Sequence, residues 1–595
     1  EIFPLHMSIS HAVWRLCAGI LLYALYAVPS ARASEDAFMP VDQIERGMSG
    51  YGLSVFQGVE IDTFGVEILG VMQDAIGPGH DLILARLSGA GLEHTGIIRG
   101  MSGSPVYLDD RLVGAIAYGW SYSKDPIGGI TPIAPMLDVA QRKPVPESPE
   151  AARQSIDFSP SDWSSDARLP RQATLERLAT PVALTGFSGS ASSVLQQALA
   201  PFGMDAVSGL GGHVADAVNV PLSAGAGLGV QLISGDRSVT AVGTLTWTDG
   251  EHFVGFGHPM MHIGSTEMPA TSVYVHQIIP SQINSFKLGS AVRALGTVYQ
   301  DRQAGIGGSM GLTPAMLPVT VDIASGSEAD RTEFSVVRHR DLTPVLVRSV
   351  LISAMESAEK LTGDTALSLR ATIALRDGRR VEYEQFYSGP SAALVASVEA
   401  VQPMAAIAWS PFTGIEVDSV HFAADVRETI SQAHITGLRL SNAQLRAGQR
   451  YEVSVALQPY RAPAFEQHIA LTIPPDTPPG PLSIVASSGE IARQLDRARR
   501  PDASVPRSAG ELIKQVQEPG RADELVVELV QPQSGMTVHG REFPSLPPSA
   551  RSVLDSESSA GHLAPVSERV LVRVRQPMRH ALTGQHVIQA TITSQ

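Results

Sequence analysis

The chain has 595 residues, of which 44 % are hydrophobic and 17 % charged, and it contains 54 glycines and 41 prolines. This apolar content excludes global disorder, and the many glycines and prolines favour short strands and turns over long exposed helices. The formal charge of −15 argues against binding to the phosphates of nucleic acids. At roughly 150 residues per domain, the length predicts about three to four domains.

The N-terminal 33 residues have the pattern of a secretory signal peptide. A start at Met7 places Arg15 before an apolar run from Leu16 to Val28, and Ala31-Arg32-Ala33 forms an A-x-A cleavage site. The run has 13 residues, too few for a membrane-spanning helix. We therefore expect an exported protein, periplasmic or extracellular, with no membrane span after cleavage. Cys17 is the only cysteine, so the mature chain is expected to have no disulfide and no thiol chemistry.

Two β-rich blocks follow the signal peptide. Residues 38–142 contain short apolar runs separated by glycine turns, which is typical of strands. A Pro/Ser/Asp-rich stretch at 143–171 is predicted to be a linker. Residues 172–398 are again rich in Gly, Val and Thr, and Thr343-Pro344 indicates a helix near 344–360, with the threonine as its N-cap.

The C-terminal region, 399–595, has the composition of one or two small β-sandwich-like domains. Tyr451, Val453, Val455 and Leu457 alternate with less apolar residues, the period-two pattern of a half-buried strand. An Arg/Asp/Ser-rich run predicts a second linker near 490–510.

A glycine-flanked serine is the candidate nucleophile. Residues 100–105 read Gly-Met-Ser-Gly-Ser-Pro, ahead of a predicted strand. Glycines permit a tight turn and the close approach of a substrate carbonyl to Ser102. The backbone N–H groups of Gly100, Met101 and Ser102 are candidates for an oxyanion hole. Taken alone, the six residues also fit an ordinary turn between strands.

A serine nucleophile needs a base, and His258 is the candidate. It lies at the end of a predicted strand between Gly257 and Pro259, which would fix its backbone and leave its ring accessible. His80 is the alternative. The group His252, His258 and His262 lacks the spacing of known metal ligands, so neither a metal nor another cofactor is expected.

Together these two motifs resemble the SpoIVB-type serine peptidases, over roughly residues 45–137 and 222–312. The resemblance implies a mainly β, trypsin-like double β-barrel, with one barrel half in 38–142 and the other in 172–398. It implies Ser102 as nucleophile, His258 as base, and cleavage of specific protein or peptide partners. By analogy, the loop from Tyr122 to Thr131 would line the substrate pocket.

The chain also departs from the family pattern. The family places its histidine before its serine, so the halves bearing Ser102 and His258 are expected in swapped order. Ser88 stands at the position of the family's acidic residue. Asp81 is therefore the predicted third member of the site, with Asp249 as its alternative. No PDZ-like segment is found, and the competing hypothesis is a catalytically inactive envelope scaffold that keeps the peptidase-like fold.

Overall fold

The computed structural model describes residues 37–120, 123–143, 175–208, 220, 222–358, 363–500, 505–538, 541–543, 547, 549 and 563–593. The predicted signal peptide at 1–33 and all but the first residue of the predicted linker at 143–171 lie outside the described residues. Within the described ranges, no helix has the length and hydropathy needed to cross a bilayer.

The first block closes into a six-stranded β-barrel. Its strands are β1 (Ser49–Val55), β2 (Ile61–Gly77), β3 (His80–Ser88), β4 (Pro105–Leu108), β5 (Arg111–Trp120) and β6 (Ile127–Pro132). They pair in the order β1-β2-β3-β6-β5-β4, and β4 closes the circuit by pairing with β1. Buried aliphatic side chains such as Ile68, Ile83 and Ile116 fill its interior. Two helices, α1 (Leu92–Thr95) and α2 (Ile133–Gln141), flank the barrel.

A second six-stranded barrel lies in the next block. It is formed by β10 (Gly227–Gly235), β11 (Ser238–Thr248), β12 (His252–Gly255), β13 (Gly264–Ile279), β14 (Phe286–Arg302) and β15 (Gly305–Met310). These pair in the closed order β10-β13-β14-β15-β12-β11, because β11 returns to β10. The predicted mainly β, double-barrel architecture is therefore confirmed.

Short elements join the two barrels. β7 (Leu175–Arg177) pairs with β5 of the first barrel. β8 (Thr180–Thr185) pairs with β11 and with β9 (Met204–Ser208), and α3 (Gly189–Leu199) connects β8 to β9. Single turns of 3-10 helix occur at Val41–Gln43 and Ala200–Phe202.

The sheet of the second barrel continues outward from β10. The added strands are β16 (Met316–Ser325), β17 (Glu328–Val337), β18 (Thr365–Leu375), β19 (Arg380–Gly389) and β20 (Val417–Arg427). Since β20 pairs with β16 and β18, this sheet continues past residue 399, where the sequence analysis begins the C-terminal region.

Three helices cover this outer sheet: α4 (Leu342–Ala358), α5 (Ala392–Ala400) and α6 (Gln402–Ala408). The helix expected near 344–360 is thus α4. Thr343 lies inside its first turn rather than at its N-cap, and its Oγ1 donates to the carbonyl of Val337 at 2.7 Å.

The C-terminal part folds as two sheets packed face to face around one aliphatic core. One sheet contains β21 (Gln432–Leu440), β23 (Arg450–Pro459), β24 (Phe465–Thr472) and β29 (Ala581–Thr583). The other contains β22 (Gln444–Leu445), β25 (Gly480–Ser488), β26 (Glu524–Val538), β27 (Arg541–Phe543), β28 (Leu563–Pro577) and β30 (Gln585–Ile592).

The stretch near 490–510 is partly helical, which corrects the prediction of a linker there. It holds α7 (Gly489–Arg499), and α8 (Ala509–Gln517) begins at its end. Ser488 caps α7 by accepting the Ile491 N–H. The charged residues that favour a loop include Arg499, which forms an ion pair with the fully buried Glu528 at 2.7 Å.

Candidate active site

The loop that carries Ser102 lies between α1 and β4 of the first barrel. Gly100 and Gly103 both have φ of +93°, which glycine adopts without steric cost. The loop is a tight turn, because the N–H of Met101 donates to Ile98 O at 3.0 Å and the N–H of Ser104 donates to Met101 O at 2.8 Å. Ser102 is fully buried, and its Oγ has no hydrogen-bond partner among the described residues.

Two of the three predicted oxyanion-hole donors have no hydrogen-bond acceptor within the described ranges. The N–H groups of Gly100 and Ser102 form no hydrogen bond to any described residue. Met101 was also predicted as a donor, but its N–H is occupied by Ile98 O within the turn. The loop therefore offers two donors, the N–H groups of Gly100 and Ser102. Between them in the sequence is the N–H of Met101, which bonds within the turn.

His258 lies in the turn between β12 and β13 of the second barrel. Phe256 and Gly257, at φ of +68° and +70°, bend the chain just before it. Its Nδ1 is 2.8 Å from Pro259 O, and a carbonyl oxygen can only accept, so Nδ1 carries the proton. Nε2 is then the basic nitrogen, and it has no hydrogen-bond partner among the described residues.

Burial determines the protonation state of His258. The ring is 1 % exposed, and its desolvation lowers the pKa to about 4. The hydrogen bond to Pro259 opposes this shift, and the positive charge of Arg177 adds to it. The imidazole is therefore neutral at pH 7, as a general base must be.

The serine loop and the histidine turn are in direct contact across the two barrels. A Cβ on Gly103 would lie 2.1 Å from Thr244 O and 2.4 Å from Phe256 N. Ser102 O accepts the N–H of Thr244 at 2.9 Å. Ser102 and His258 are thus carried by segments that touch, although their free atoms Oγ and Nε2 do not hydrogen-bond to each other. Such bonds are often long in ligand-free sites.

Neither predicted carboxylate forms a hydrogen bond to His258. Asp81 lies at the start of β3, where it accepts the Asp74 N–H at 3.0 Å near the end of the β2–β3 hairpin. Asp249 accepts the N–H of His252 instead. In the described part of the chain, the group bonded to Nδ1 of His258 is a backbone carbonyl.

A different acid holds the histidine turn, and the sequence analysis did not single it out. Asp301 is fully buried in β14, where its carboxylate accepts the N–H groups of Met260 at 2.8 Å and Met261 at 2.7 Å. Burial raises the pKa of Asp301, and these backbone bonds oppose the shift. Gln300 and Arg302 flank Asp301 in β14, so no local pattern in the sequence marks this aspartate as buried.

Lys287 is a second residue that the sequence analysis missed. Its buried Nζ donates to Ser54 Oγ at 2.8 Å and to Thr244 Oγ1 at 3.3 Å. Thr244 Oγ1 in turn donates to Gly100 O at 3.0 Å, and Ser104 Oγ donates to Ser54 Oγ at 2.9 Å. Burial lowers the pKa of Lys287 to about 7. We call these five residues the interbarrel cluster; it connects Lys287 in β14 to the serine loop.

A cleft lies next to the serine loop and is lined by residues of both barrels. The first barrel contributes Thr95 to Ile97, Arg99, Gly119 and Trp120, and the second block contributes Ser281 to Ser285. Ser123, Lys124, Asp125 and Ile127, from the loop predicted to line the substrate pocket, also line this cleft.

Polar side chains also meet elsewhere in the described ranges, and in the second barrel His276 Nε2 lies 2.9 Å from Ser290 Oγ. Across the described ranges, no three His, Cys, Asp or Glu side chains are placed to hold a metal ion. Ser454, on the surface of the C-terminal sandwich, bonds to His468 Nδ1 at 3.1 Å, but Glu452 approaches the same nitrogen at 3.2 Å. A ring that uses one nitrogen for both groups cannot pass a proton between them.

Comparison with known proteins gives one match. Residues 32–131, which are 100 of the 595, match the family described as SpoIVB peptidase S55. No curated protein and no solved structure matches the chain. The matched segment includes Ser102 and most of the first barrel, and it ends before His258. Over residues 32–131 the chain is thus similar to the SpoIVB peptidase S55 family of serine peptidases, as the sequence around Ser102 predicts.

Proposed function

We propose that this chain is an exported serine endopeptidase that cleaves specific protein partners, with Ser102 as nucleophile and His258 as general base. The observation that carries the proposal is the contact between the serine loop and the histidine turn. Each comes from a different barrel, and each presents a buried reactive atom that has no hydrogen-bond partner in the described part of the chain.

The groups present account for each step of peptide hydrolysis. His258 Nε2 takes the proton of Ser102 Oγ while Oγ bonds to the substrate carbonyl carbon. The oxygen anion that forms accepts hydrogen bonds from the N–H groups of Gly100 and Ser102. His258 then gives its proton to the leaving nitrogen as the C–N bond breaks. A water molecule releases the acyl group from Ser102 by the same steps.

The proton on Nδ1 is held by Pro259 O and not by a carboxylate. A carbonyl selects the correct tautomer, but it stabilises the imidazolium less than a negative charge would. We therefore expect slow turnover, which suits an enzyme that cleaves few partners.

A fluorophosphonate probe tests the proposal, because it labels only an activated serine. Wild-type protein should be labelled, and both Ser102→Ala and His258→Ala should abolish labelling. The matched controls are Ser454→Ala and His468→Ala, which remove a Ser–His pair on the surface of the C-terminal sandwich and should leave labelling unchanged. If neither the folded wild type nor the folded Glu176→Pro variant described below is labelled, the peptidase is contradicted and the scaffold hypothesis is favoured.

Export rests on the sequence of residues 7–33 and needs its own test. Expressed with its native N-terminus, the protein should be recovered outside the cytoplasm with Ser34 as its first residue. Recovery of the uncleaved chain in the cytoplasm would contradict this part of the proposal. N-terminal sequencing of the fractions distinguishes the two outcomes.

A further inference from the structure

One edge of β5 leads directly to the nucleophile. β4 occupies this edge as far as Ala115. At Ile116 the serine loop replaces β4, because Gly103 N–H donates to Ile116 O at 2.8 Å and Ile116 N–H donates to Ser104 O at 3.0 Å. An extended peptide bound to the next residues along the same edge would therefore begin beside Ser102.

That part of the edge is already occupied by the chain itself. Ala117 O accepts the N–H of Leu178 at 2.9 Å. Beyond it, β7 runs antiparallel to the end of β5, with Arg177 opposite Tyr118 and Glu176 opposite Gly119. The segment from Leu175 to Leu178 thus continues, residue by residue, the pairing that the serine loop begins.

The same segment packs on the first barrel and lies near His258. Leu178 is 8 % exposed and packs with the core of the first barrel, and a Cβ on Gly119 would lie 3.1 Å from its Cδ2. The charge of Arg177 is close enough to lower the pKa of His258. Ser102 is 0 % exposed and His258 1 % exposed, so the site has no open access for a protein substrate in this conformation.

We propose that the segment Leu175–Leu178 is a built-in competitor, which occupies the edge of β5 from Ala117 to Trp120 where an extended substrate would add as an antiparallel strand. The inference rests on the proposed peptidase function and adds its regulation. The ligand class is an extended peptide, because backbone N–H and C=O groups supply most of the binding in strand addition. A substrate peptide with an apolar side chain at the position that Leu178 now occupies would fill the same part of the core.

Because the segment Leu175–Leu178 is part of the same chain, it competes strongly with a free substrate peptide for the edge of β5. A tethered segment acts at an effective concentration on the order of mM, so a free peptide must bind tightly or the tethered strand must leave. The structure therefore corresponds to a self-inhibited form of the peptidase.

Proline at position 176 tests this directly. Glu176 is exposed, so Glu176→Pro removes a backbone N–H from the β5–β7 pairing and takes no side chain out of the core. We expect Ser102 in this variant to react with the fluorophosphonate at least about tenfold faster than in wild type. Glu176→Ala, which also removes the carboxylate but keeps the N–H, should react like wild type. A Glu176→Pro protein that reacts no faster than Glu176→Ala would overturn the inference.

A binding measurement keeps the inference separate from the catalytic proposal. A fluorescent peptide with the sequence of Leu175–Thr180 should bind to Glu176→Pro in the Ser102→Ala background, and at least about tenfold more weakly to Glu176→Ala in that background. A peptide of scrambled sequence is the control. Equal binding to both variants, or to neither, would overturn the inference. Selective binding without labelling of any chain at Ser102 would support the strand competitor and contradict the peptidase.

Discussion

Asp301 accepts the backbone N–H of Met261 at 2.7 Å, three residues after His258. The bond joins β14, inside the second barrel, to the turn that presents the proposed base. In many serine peptidases an acid bonds to the imidazole itself. In this chain the nearest equivalent acid bonds to the backbone that follows the histidine, so it determines where the ring is and not its charge.

Asp301→Asn is expected to displace the histidine turn. The amide keeps the volume, but its NH2 group would face one of the N–H groups of Met260 or Met261. We expect kcat to fall at least about tenfold with a smaller change in KM, measured with a peptide substrate. Asp377→Asn, which removes a carboxylate from an exposed turn, is the control and should change neither. An unchanged kcat in Asp301→Asn would contradict the positioning role.

Lys287→Met is expected to stabilise the fold and to slow the enzyme. The folded-state pKa of about 7 lies below the ordinary value of 10.5, so the unfolded chain binds the proton more tightly. Wild-type stability should therefore rise as the pH increases from about 7 to 10.5. The variant should lose this rise, and its advantage over wild type should be largest at pH 6. Urea unfolding at pH 6 and pH 10 measures both, and parallel pH profiles for the two proteins would contradict the prediction.

The second part of the Lys287 prediction concerns the reactivity of Ser102. Without the amine, Thr244 Oγ1 loses a donor next to its bond to Gly100 O, and the serine loop loses support. We expect a lower rate of Ser102 labelling in a protein that is more stable. A rate equal to that of wild type would show that the interbarrel cluster does not shape the loop.

His258 should make the protein sensitive to acid within a defined window. Its folded-state pKa of about 4 is below the ordinary 6.5, so between these values the unfolded chain binds a proton that the folded chain does not. Stability should therefore fall as the pH decreases from 6.5 to 4, by up to about 3 kcal/mol from this residue. His258→Gln should reduce the fall in urea unfolding experiments at pH 7.5 and pH 4.5. The acid limb of kcat/KM should also lie well below pH 6.5, and a midpoint at 6.5 would refute the buried, neutral ring.

Gly103→Ala should separate the serine loop from the histidine turn. Its Cβ would overlap Thr244 O and Phe256 N, and alanine at φ of +93° is strained. Overpacking adds about 1–3 kcal/mol to a conformational strain of about 1–2 kcal/mol. Gly91→Ala is the matched control, since Gly91 also has positive φ, at +78°, but has open space around it. Similar losses of stability in the two variants, measured by urea unfolding, would contradict the tight contact.

The sequence predicts the fold class and the serine loop well because both depend on local patterns. Short alternating strands with glycine turns indicate β-barrels, and the six residues around Ser102 encode a turn. The acid at the histidine turn is hard to predict from the sequence for a physical reason. Asp81 is predicted as a substitute because Ser88 stands at the position of the family's acidic residue, whereas Asp301 reaches the histidine turn only because β14 and β13 pair in the second barrel. Partners 40 residues apart in sequence leave no periodic signal.

Composition alone also gives a wrong indication near residue 495. Arginine and aspartate favour a solvated linker, but Arg499 and Arg573 enclose the buried Glu528. Only tertiary structure reveals that a charged helix is packed. Lys287 escaped notice similarly, since a lone lysine in a strand is usually exposed and here is wholly enclosed.

The interbarrel cluster has a consequence for how this protein can be divided. Lys287 belongs to one barrel and its acceptor Ser54 to the other, so a fragment ending at residue 143 would hold a Ser54 hydroxyl that has lost its amine donor. The complementary fragment would hold an amine that keeps only Thr244 Oγ1 as an acceptor. Two such polypeptides, made separately, would each lack part of the proposed site. Mixing them should bring Ser102 of one fragment together with His258 of the other.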